Sequence, residues 1–297
     1  MRKLRLVLGL VLVGLLLCPA HAADALPSPA TRPTTVRVAA IQFISRWAMP
    51  QANRTALEPL VREAAGHGAR IIVLPETAIT SYMSHYIRRT WQVDKREITA
   101  GLIGVSPEEL AETVPGESTQ VFGKLAKELG VYLTVPIIER AGNKCFNTSV
   151  LIAPDGQIAL HYRKLNPWPW AEQGWASKGD RGHQVLDTPY GRLGLLICYD
   201  INYEPRAMKE LNVDHLLYSI AWVDAPRSDW FDRRLPDIAR QSNMNIIGAN
   251  WSVPDTPGWS GYGQSRIIRR DGTIIARPRS DIGNEILYAD LPVPAER

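Results

Sequence analysis

The sequence predicts an α/β fold. Short apolar runs of the kind that form buried strands alternate along the chain with segments whose apolar residues recur at helical spacing. Hydrophobic residues make up 45% of the 297 positions and charged residues 22%, which is typical of a globular domain with a large core. No fixed-period repeat and no second composition regime interrupts this pattern, so one compact domain is expected.

The first elements are predicted to be a strand, a helix and a second strand. Residues 36–43 are an apolar run bounded by polar residues, as in a buried strand. Residues 52–68 have apolar side chains at helical spacing and glycines near the C-terminal end. Residues 70–74 form the next apolar run, which ends at Pro75.

The same alternation continues to the end of the chain, with turns indicated at Asp155-Gly156 and Asp271-Gly272. Apolar runs predict strands at about 131–137, 146–153, 157–163, 192–197, 214–220 and 245–250, and two final strands flank the second turn. Helical spacing predicts helices at about 118–129, 203–211 and 228–243. Because most strands are near-continuous apolar runs, the sheets are expected to be largely buried.

The first 22 residues differ from the rest and are predicted to be a secretory signal peptide. Three basic residues within the first five positions precede the apolar run 6–17, and Ala20 and Ala22 are small residues at the two positions that define a cleavage site. The apolar run is about 12 residues long, against roughly 20 needed to span a bilayer, so a retained anchor is the weaker alternative. A lipoprotein signal at Cys18 is also weaker, because the preceding residue is bulky. The protein is therefore expected in the periplasm or outside the cell.

The segment after the predicted signal peptide is expected to be a flexible leader. Residues 23–35 are proline-rich and lack periodicity, so the folded domain is predicted over 36–293. The signal peptide holds three of the 34 basic residues and none of the 30 acidic ones, which leaves 31 against 30, a formal charge of +1. This near neutrality, without a basic run interleaved with aromatic residues, argues against nucleic acid and favours a small-molecule or peptide-like substrate.

Three reactive side chains follow directly after apolar strands. Glu76 follows the strand that ends at Pro75, Lys164 follows His161-Tyr162-Arg163, and Cys198 follows the run that ends at Ile197. The ends of strands are where α/β folds usually gather their ligand sites. The sequence therefore predicts that a carboxylate, an amine and a thiol meet at one site.

The three groups together suit nucleophilic catalysis on an amide carbonyl. A free thiol has a pKa of about 8.5 and needs a base or a nearby cation to become a nucleophile. Glu76 can take the proton as general base and later return it as general acid, and Lys164 can stabilise the oxyanion together with the backbone N–H of Tyr199. Singly, each residue has an ordinary structural interpretation: a core cysteine, a helix-capping glutamate and a solvated lysine.

The ordered motifs resemble those of the nitrilase superfamily of carbon-nitrogen hydrolases. They are Leu-Pro-Glu at 74–76, Tyr-Arg-Lys at 162–164 and Cys-Tyr-Asp at 198–200, and the resemblance runs from about 36 to 290. It implies a four-layer α-β-β-α sandwich and a cofactor-free Glu-Lys-Cys triad. It also implies a homo-oligomer, a dimer or higher.

The segment after Lys164 is most similar to the aliphatic amidase branch of that superfamily. The resemblance implies that Glu172 helps to position the substrate and the lysine, although Gln173 interrupts the Glu-Gly step of that branch. Trp222 is expected to line the pocket. An exported amidohydrolase with a thioacyl-enzyme intermediate is the leading interpretation.

Several alternatives stay open. Nitrile hydrolysis or N-acyl transfer would use the same triad, and a catalytically silent binding protein could keep the fold. A disulfide between Cys145 and Cys198, the two cysteines after the signal peptide, would block the nucleophile. No metal is expected, because the histidines and cysteines lack the spacing of metal ligands.

Overall fold

The computed structural model describes residues 33–85, 104–222, 229–253 and 263–295. The predicted signal peptide and all but the last three residues of the predicted leader lie outside the described residues. The domain boundaries at 22 and 36 therefore stay predictions. Within the described ranges, no helix combines the length and the apolar character that crossing a membrane requires.

Twelve strands and four α-helices make up the described part of the chain. The strands are β1 (Thr35–Gln42), β2 (Ile71–Val73), β3 (Tyr132–Ala141), β4 (Lys144–Ile152), β5 (Ile158–Arg163), β6 (Val185–Thr188), β7 (Gly191–Ile197), β8 (His215–Ile220), β9 (Asn245–Asn250), β10 (Arg266–Ile268), β11 (Ile274–Ala276) and β12 (Glu285–Pro292). The helices are α1 (Pro50–Gly66), α2 (Glu117–Leu129), α3 (Pro205–Glu210) and α4 (Leu235–Ser242). Short 3₁₀ turns cover Pro107–Leu110 and Cys198–Asn202, and a π-helical turn, Trp230–Arg234, leads into α4.

The strands form two six-stranded mixed sheets. The first sheet has the order β12-β1-β2-β3-β4-β5 and the second the order β11-β10-β9-β8-β7-β6. In each sheet three neighbouring strands are parallel, β1, β2 and β3 in the first and β7, β8 and β9 in the second, and the outer strands are antiparallel.

The side chains of the two sheets define four layers. In β1, Val38 and Ala40 belong to a core that contains residues of both sheets, whereas Ala39 and Ile41 belong to a core shared with α1 and α2. This alternation follows from the two-residue period of a strand. Residues of α3 and α4 cover the second sheet. The fold is thus the predicted four-layer α-β-β-α sandwich, and this prediction is confirmed.

Strands β6 and β12 were not predicted from the sequence, because both lie at sheet edges. β6 is short and half-buried, and β12 is mostly half-buried or exposed, with only Leu287 and Leu291 buried. An edge strand needs no continuous apolar run, which was the signal used to predict the others. The prediction of a helix over 228–243 was also too simple, because α4 begins only at Leu235, after the π-helical turn.

The two sheets meet at the end where the parallel strands stop. Phe43, just beyond β1, forms a parallel bridge with Trp251, just beyond β9. The Glu76 amide donates to the Ile220 carbonyl at the end of β8, at 3.2 Å. Residues that follow the parallel strands of both sheets are therefore fixed relative to one another.

Candidate active site

Glu76 is a buried carboxylate just beyond β2. Its side chain is 0% exposed and its backbone is held by the hydrogen bond to Ile220. Thr77, the next residue, has a positive φ of 46°, which is uncommon for a β-branched residue. Strained backbone of this kind persists only where the surroundings impose it, and it is concentrated at functional sites.

Lys164 is the first residue beyond β5, and its ammonium is shared between two carboxylates. Its Nζ donates to Glu76 Oε1 at 2.7 Å and to the Glu172 carboxylate at 2.9 Å. The two-residue period of β5 turns Tyr162 and Lys164 to the inner side, while Arg163 binds the buried carboxylate of Glu139 on the other side.

Glu172 reaches the site from the long loop between β5 and β6. Besides Lys164, its carboxylate accepts hydrogen bonds from the Trp168 backbone N–H and from Asn147 Nδ2. Its carbonyl accepts from the amides of Trp175 and Ala176. The loop is thus folded around the buried carboxylate, which holds Glu172 against Lys164.

Asn147, in β4, belongs to the site although sequence reasoning did not place it there. Its Nδ2 donates to Glu76 Oε1 at 2.7 Å and also to Glu172 Oε1. The available signal was a run of polar residues, Asn147 to Ser149, inside the otherwise apolar part of β4, but sequence alone does not reveal what such residues face.

Cys198 is the first residue after β7 and has a strained backbone. Its φ is +40°, in a region that L-residues rarely adopt, and it is buried. The Tyr218 hydroxyl donates to its carbonyl at 2.8 Å. The Asp200 carboxylate accepts a hydrogen bond from the Tyr162 hydroxyl at 2.8 Å, which fixes the turn that begins at Cys198.

Burial and neighbouring charges shift the pKa values of the site residues. Burial raises the pKa of Glu76 to about 7, against the lowering effect of Lys164. Burial alone would lower the pKa of Lys164, but Glu172 and Glu76 outweigh it and hold that pKa above its ordinary range. Burial, followed by the charge of Glu76, raises the pKa of Cys198 well above its usual value. At neutral pH the site therefore holds the Lys164 ammonium, the protonated Cys198 thiol and a Glu76 carboxyl group close to its pKa, which can gain or lose a proton.

The two carboxylate oxygens of Glu76 differ in their hydrogen bonding. Oε1 accepts from both Lys164 and Asn147, whereas the buried Oε2 has no hydrogen-bond partner among the described residues. A buried acceptor without a partner is costly in a folded protein. Together with a pKa near 7, this oxygen suits Glu76 to accept a proton during a reaction.

Comparison with known proteins identifies the family. The carbon-nitrogen hydrolase family model matches residues 37–296. The chain belongs to this family. It is a hydrolase that acts on carbon-nitrogen bonds other than peptide bonds, and the resemblance to the nitrilase superfamily is confirmed.

Individual relatives and structures agree with the family assignment. The hydrolase is 27% identical to Omega-amidase NIT2 of Homo sapiens over 271 residues, 87% of this chain and 89% of the relative. It is 30% identical to a nitrilase of Pyrococcus abyssi over 166 residues, 56% of each chain. The crystal structure of an amidase from Nesterenkonia sp. has the same fold, with a TM-score of 0.71 at 20% identity over 86% of this chain and 90% of that one.

Tyr199 and Trp222 occupy different surroundings in the hydrolase. The Tyr199 amide directly follows Cys198 in the 3₁₀ turn, while its hydroxyl lies 3.0 Å from that of Tyr203. Trp222 adjoins Ala221, but its ring stacks on Trp230 with centroids 4.3 Å apart. The roles of Tyr199 as oxyanion donor and of Trp222 in the pocket stay predictions.

An apolar cluster lies beside the reactive groups. It comprises Tyr82, Ala171, Ala221, Trp251 and Val253, with Trp168 packed against it. Burial, followed by the charges of the two site glutamates, raises the pKa of Tyr82 well above its usual value. Tyr82 therefore borders both the apolar cluster and the charged groups.

Both described cysteines are free thiols, so the disulfide that the sequence left open is not formed. Cys145 lies in a different apolar cluster from Cys198, together with Met83, Ile138 and Trp175. Among the described residues, the charges that act on its thiol are those of Arg140 and Glu108, which lie outside the candidate site. In the part of the chain that the structure describes, no group of three His, Cys, Asp or Glu residues could hold a metal ion.

The strain at Cys198 predicts an unusual stability order for two variants that both lack the thiol. Cys198→Gly should be more stable than Cys198→Ala by about 1 kcal/mol, because glycine accepts a positive φ without a steric penalty. The free energy of unfolding from urea titrations measures this difference. Ala56→Gly, in the interior of α1, is the control and should be destabilising by about 1 kcal/mol, as in an ordinary helix. Equal stability of the two Cys198 variants would contradict strain at this position.

Proposed function

We propose that this hydrolase cleaves the carbon-nitrogen bond of a small-molecule amide through a thioacyl intermediate on Cys198. The observation that carries the proposal is the buried cluster in which Lys164 binds Glu76 and Glu172 while the charges of Glu76 and Lys164 act on the Cys198 thiol. This set contains a nucleophile, a base and a fixed cation, which are the parts that attack on an amide carbonyl needs.

The first step joins the sulfur of Cys198 to the carbonyl carbon. Glu76 takes the thiol proton as the carbon-sulfur bond forms, and the carbonyl electron pair moves to oxygen. The Lys164 ammonium and the Tyr199 backbone N–H stabilise the resulting oxyanion. One such donor typically contributes about 10² to 10³ in rate.

The second step expels the amine. The oxyanion collapses, the carbon-nitrogen bond breaks, and Glu76 returns its proton to the leaving nitrogen. A water molecule then attacks the thioacyl carbon and loses its proton to Glu76, and the carbon-sulfur bond breaks with proton return to sulfur. Glu76 thus acts twice as a base and twice as an acid, which suits a carboxylate with a pKa of about 7.

Glu172 has a positioning role in this scheme. Its bond to Lys164 gives the ammonium a second fixed acceptor besides Glu76, and its loop carries Trp168 to the apolar cluster. The same loop therefore both holds the lysine in place and supplies part of the apolar surface that the acyl group of the substrate would contact.

The relatives support an amide substrate. The human and zebrafish proteins are named omega-amidases. Structures of the Nesterenkonia amidase include a butyramide complex and an adduct of the acetamide moiety of fluoroacetamide at its active-site cysteine. By analogy, the substrate of this hydrolase is a small amide and Cys198 is the position of the adduct.

The pH dependence of amide hydrolysis tests the role of Glu76. The carboxylate is ionised above its pKa of about 7 and can accept the thiol proton; below it, the protonated form cannot. We expect kcat/KM for ammonia release from small primary amides to fall tenfold per unit below about pH 7. Glu76→Gln should lower kcat/KM by about 10² to 10⁴. Glu63→Gln, an exposed change in α1, is the matched control and should leave the profile unchanged.

Other outcomes of this assay reassign the function. Turnover of a nitrile but not of the matching amide would indicate nitrile hydrolysis. Faster acyl transfer to an added amine than to water would indicate an acyltransferase. A Glu76→Gln variant with full activity would contradict the proposed mechanism. Binding without turnover would favour a silent binding protein.

We further propose that the protein is exported and works as a homo-oligomer in the periplasm or outside the cell. The basic, apolar and small-residue pattern of residues 1–22 supports export, and the family resemblance supports self-association. Mass spectrometry of the protein recovered from the native host should give a chain that begins at Ala23. A chain that begins at Met1 would contradict cleavage.

A further inference from the structure

Asn147 is hydrogen-bonded to three residues of the proposed catalytic cluster, Glu76, Glu172 and Lys164. Its Nδ2 donates to Glu76 and to Glu172, and its backbone carbonyl accepts the Lys164 amide at 2.8 Å. It is 1% exposed and lies in β4, between β3 and β5 of the first sheet. It is therefore fixed from both sides along its backbone.

The site has a charge imbalance that Lys164 alone does not resolve. Two buried carboxylates, Glu76 and Glu172, share one ammonium. Like charges at short range inside a protein repel strongly, and one of two such carboxylates tends to take up a proton. A proton held permanently by Glu76 would remove the base that the proposed reaction needs.

An amide group can relieve this imbalance without adding charge. The NH₂ of asparagine carries two donors, and at Asn147 the two acceptors are carboxylate oxygens of different residues. The Oδ1 of Asn147 is buried and has no hydrogen-bond partner among the described residues. The polar contacts of this side chain are thus made entirely through its NH₂ group.

Building on the proposed function, we propose that Asn147 is a positioning residue that donates one N–H to each glutamate and so keeps Glu76 ionised beside Lys164. Hydrogen bonds to a charged acceptor stabilise the charged form. Asn147 touches neither the scissile bond nor the sulfur, so its effect is carried by the two carboxylates.

Other titratable groups around Glu76 also influence its ionisation. The titratable groups whose charge interacts with Glu76 are those of Lys164, Glu172, Cys198, Tyr82 and Tyr218. Glu172 disfavours the ionised form of Glu76, whereas Lys164 and the Asn147 hydrogen bond favour it. Loss of the Asn147 donor therefore raises the pKa of Glu76 above about 7.

The test is the pH profile of kcat/KM for amide hydrolysis in Asn147→Ala. We expect the acid limb to move to higher pH by about one unit, the value of one hydrogen bond to a charged group. The rate at pH 7 should fall about fivefold, and most of the loss should be recovered at pH 9. Asn147→Asp, which keeps the size but replaces the donor by a third carboxylate, should move the limb further.

Ser149→Ala is the matched control. Ser149 lies two residues along the same face of β4, and its buried hydroxyl has no hydrogen-bond partner among the described residues. This variant should keep the wild-type profile. An Asn147→Ala profile with the wild-type limb, or a loss equal at every pH, would overturn the proposal, because a purely structural role lowers activity without moving the limb.

A second readout does not depend on turnover. A folded-state pKa of Glu76 above its unfolded value makes stability fall as pH rises between those two values. In Asn147→Ala the loss of stability should continue to higher pH. The difference in urea midpoint between wild type and Asn147→Ala should therefore be larger at pH 9 than at pH 6. A constant difference would overturn the proposal. Absence of amide turnover in wild type would refute the proposed function alone and leave this readout to decide the role of Asn147.

Discussion

The structure depends on one buried interaction, the Lys164 ammonium held between the Glu76 and Glu172 carboxylates. Burying three charged groups costs several kcal/mol per ion unless geometry and extra hydrogen bonds compensate. The three groups come from the ends of β2 and β5 and from the loop after β5, so each of those segments must be in place for the charges to balance. The charge cluster therefore also specifies how the β5 to β6 loop folds.

The proposed nucleophile, Cys198, belongs to the other sheet, and the sandwich brings it to this cluster. Cys198 directly follows β7, and the Tyr218 hydroxyl in β8 donates a hydrogen bond to the Cys198 carbonyl. The Glu76 amide donates to the Ile220 carbonyl, so the proposed base is hydrogen-bonded to β8, the strand that neighbours β7 and Cys198. Relative movement of the sheets would separate base from thiol, which explains why the site lies where both sets of parallel strands end.

The sequence was informative where a reactive residue directly follows an apolar strand. Glu76, Lys164 and Cys198 could be singled out in this way, and the sandwich followed from the motifs that contain them. Asn147 could not, because its significance depends on two residues that are distant in sequence. The positive φ of Cys198 was equally unreadable, since cysteine has no preference for it. The edge strand β12 lacks the apolar continuity that identified the central strands.

The central claim is that Cys198 carries a thioacyl group during turnover. Acid quenching within the first turnovers on a small primary amide, followed by intact-mass and peptide analysis, tests it directly. The account predicts a mass increase equal to the acyl group on the peptide that contains Cys198, and none on the peptide that contains Cys145, the second free thiol of the described chain. Turnover without any adduct on Cys198, or an adduct on Cys145, would contradict it.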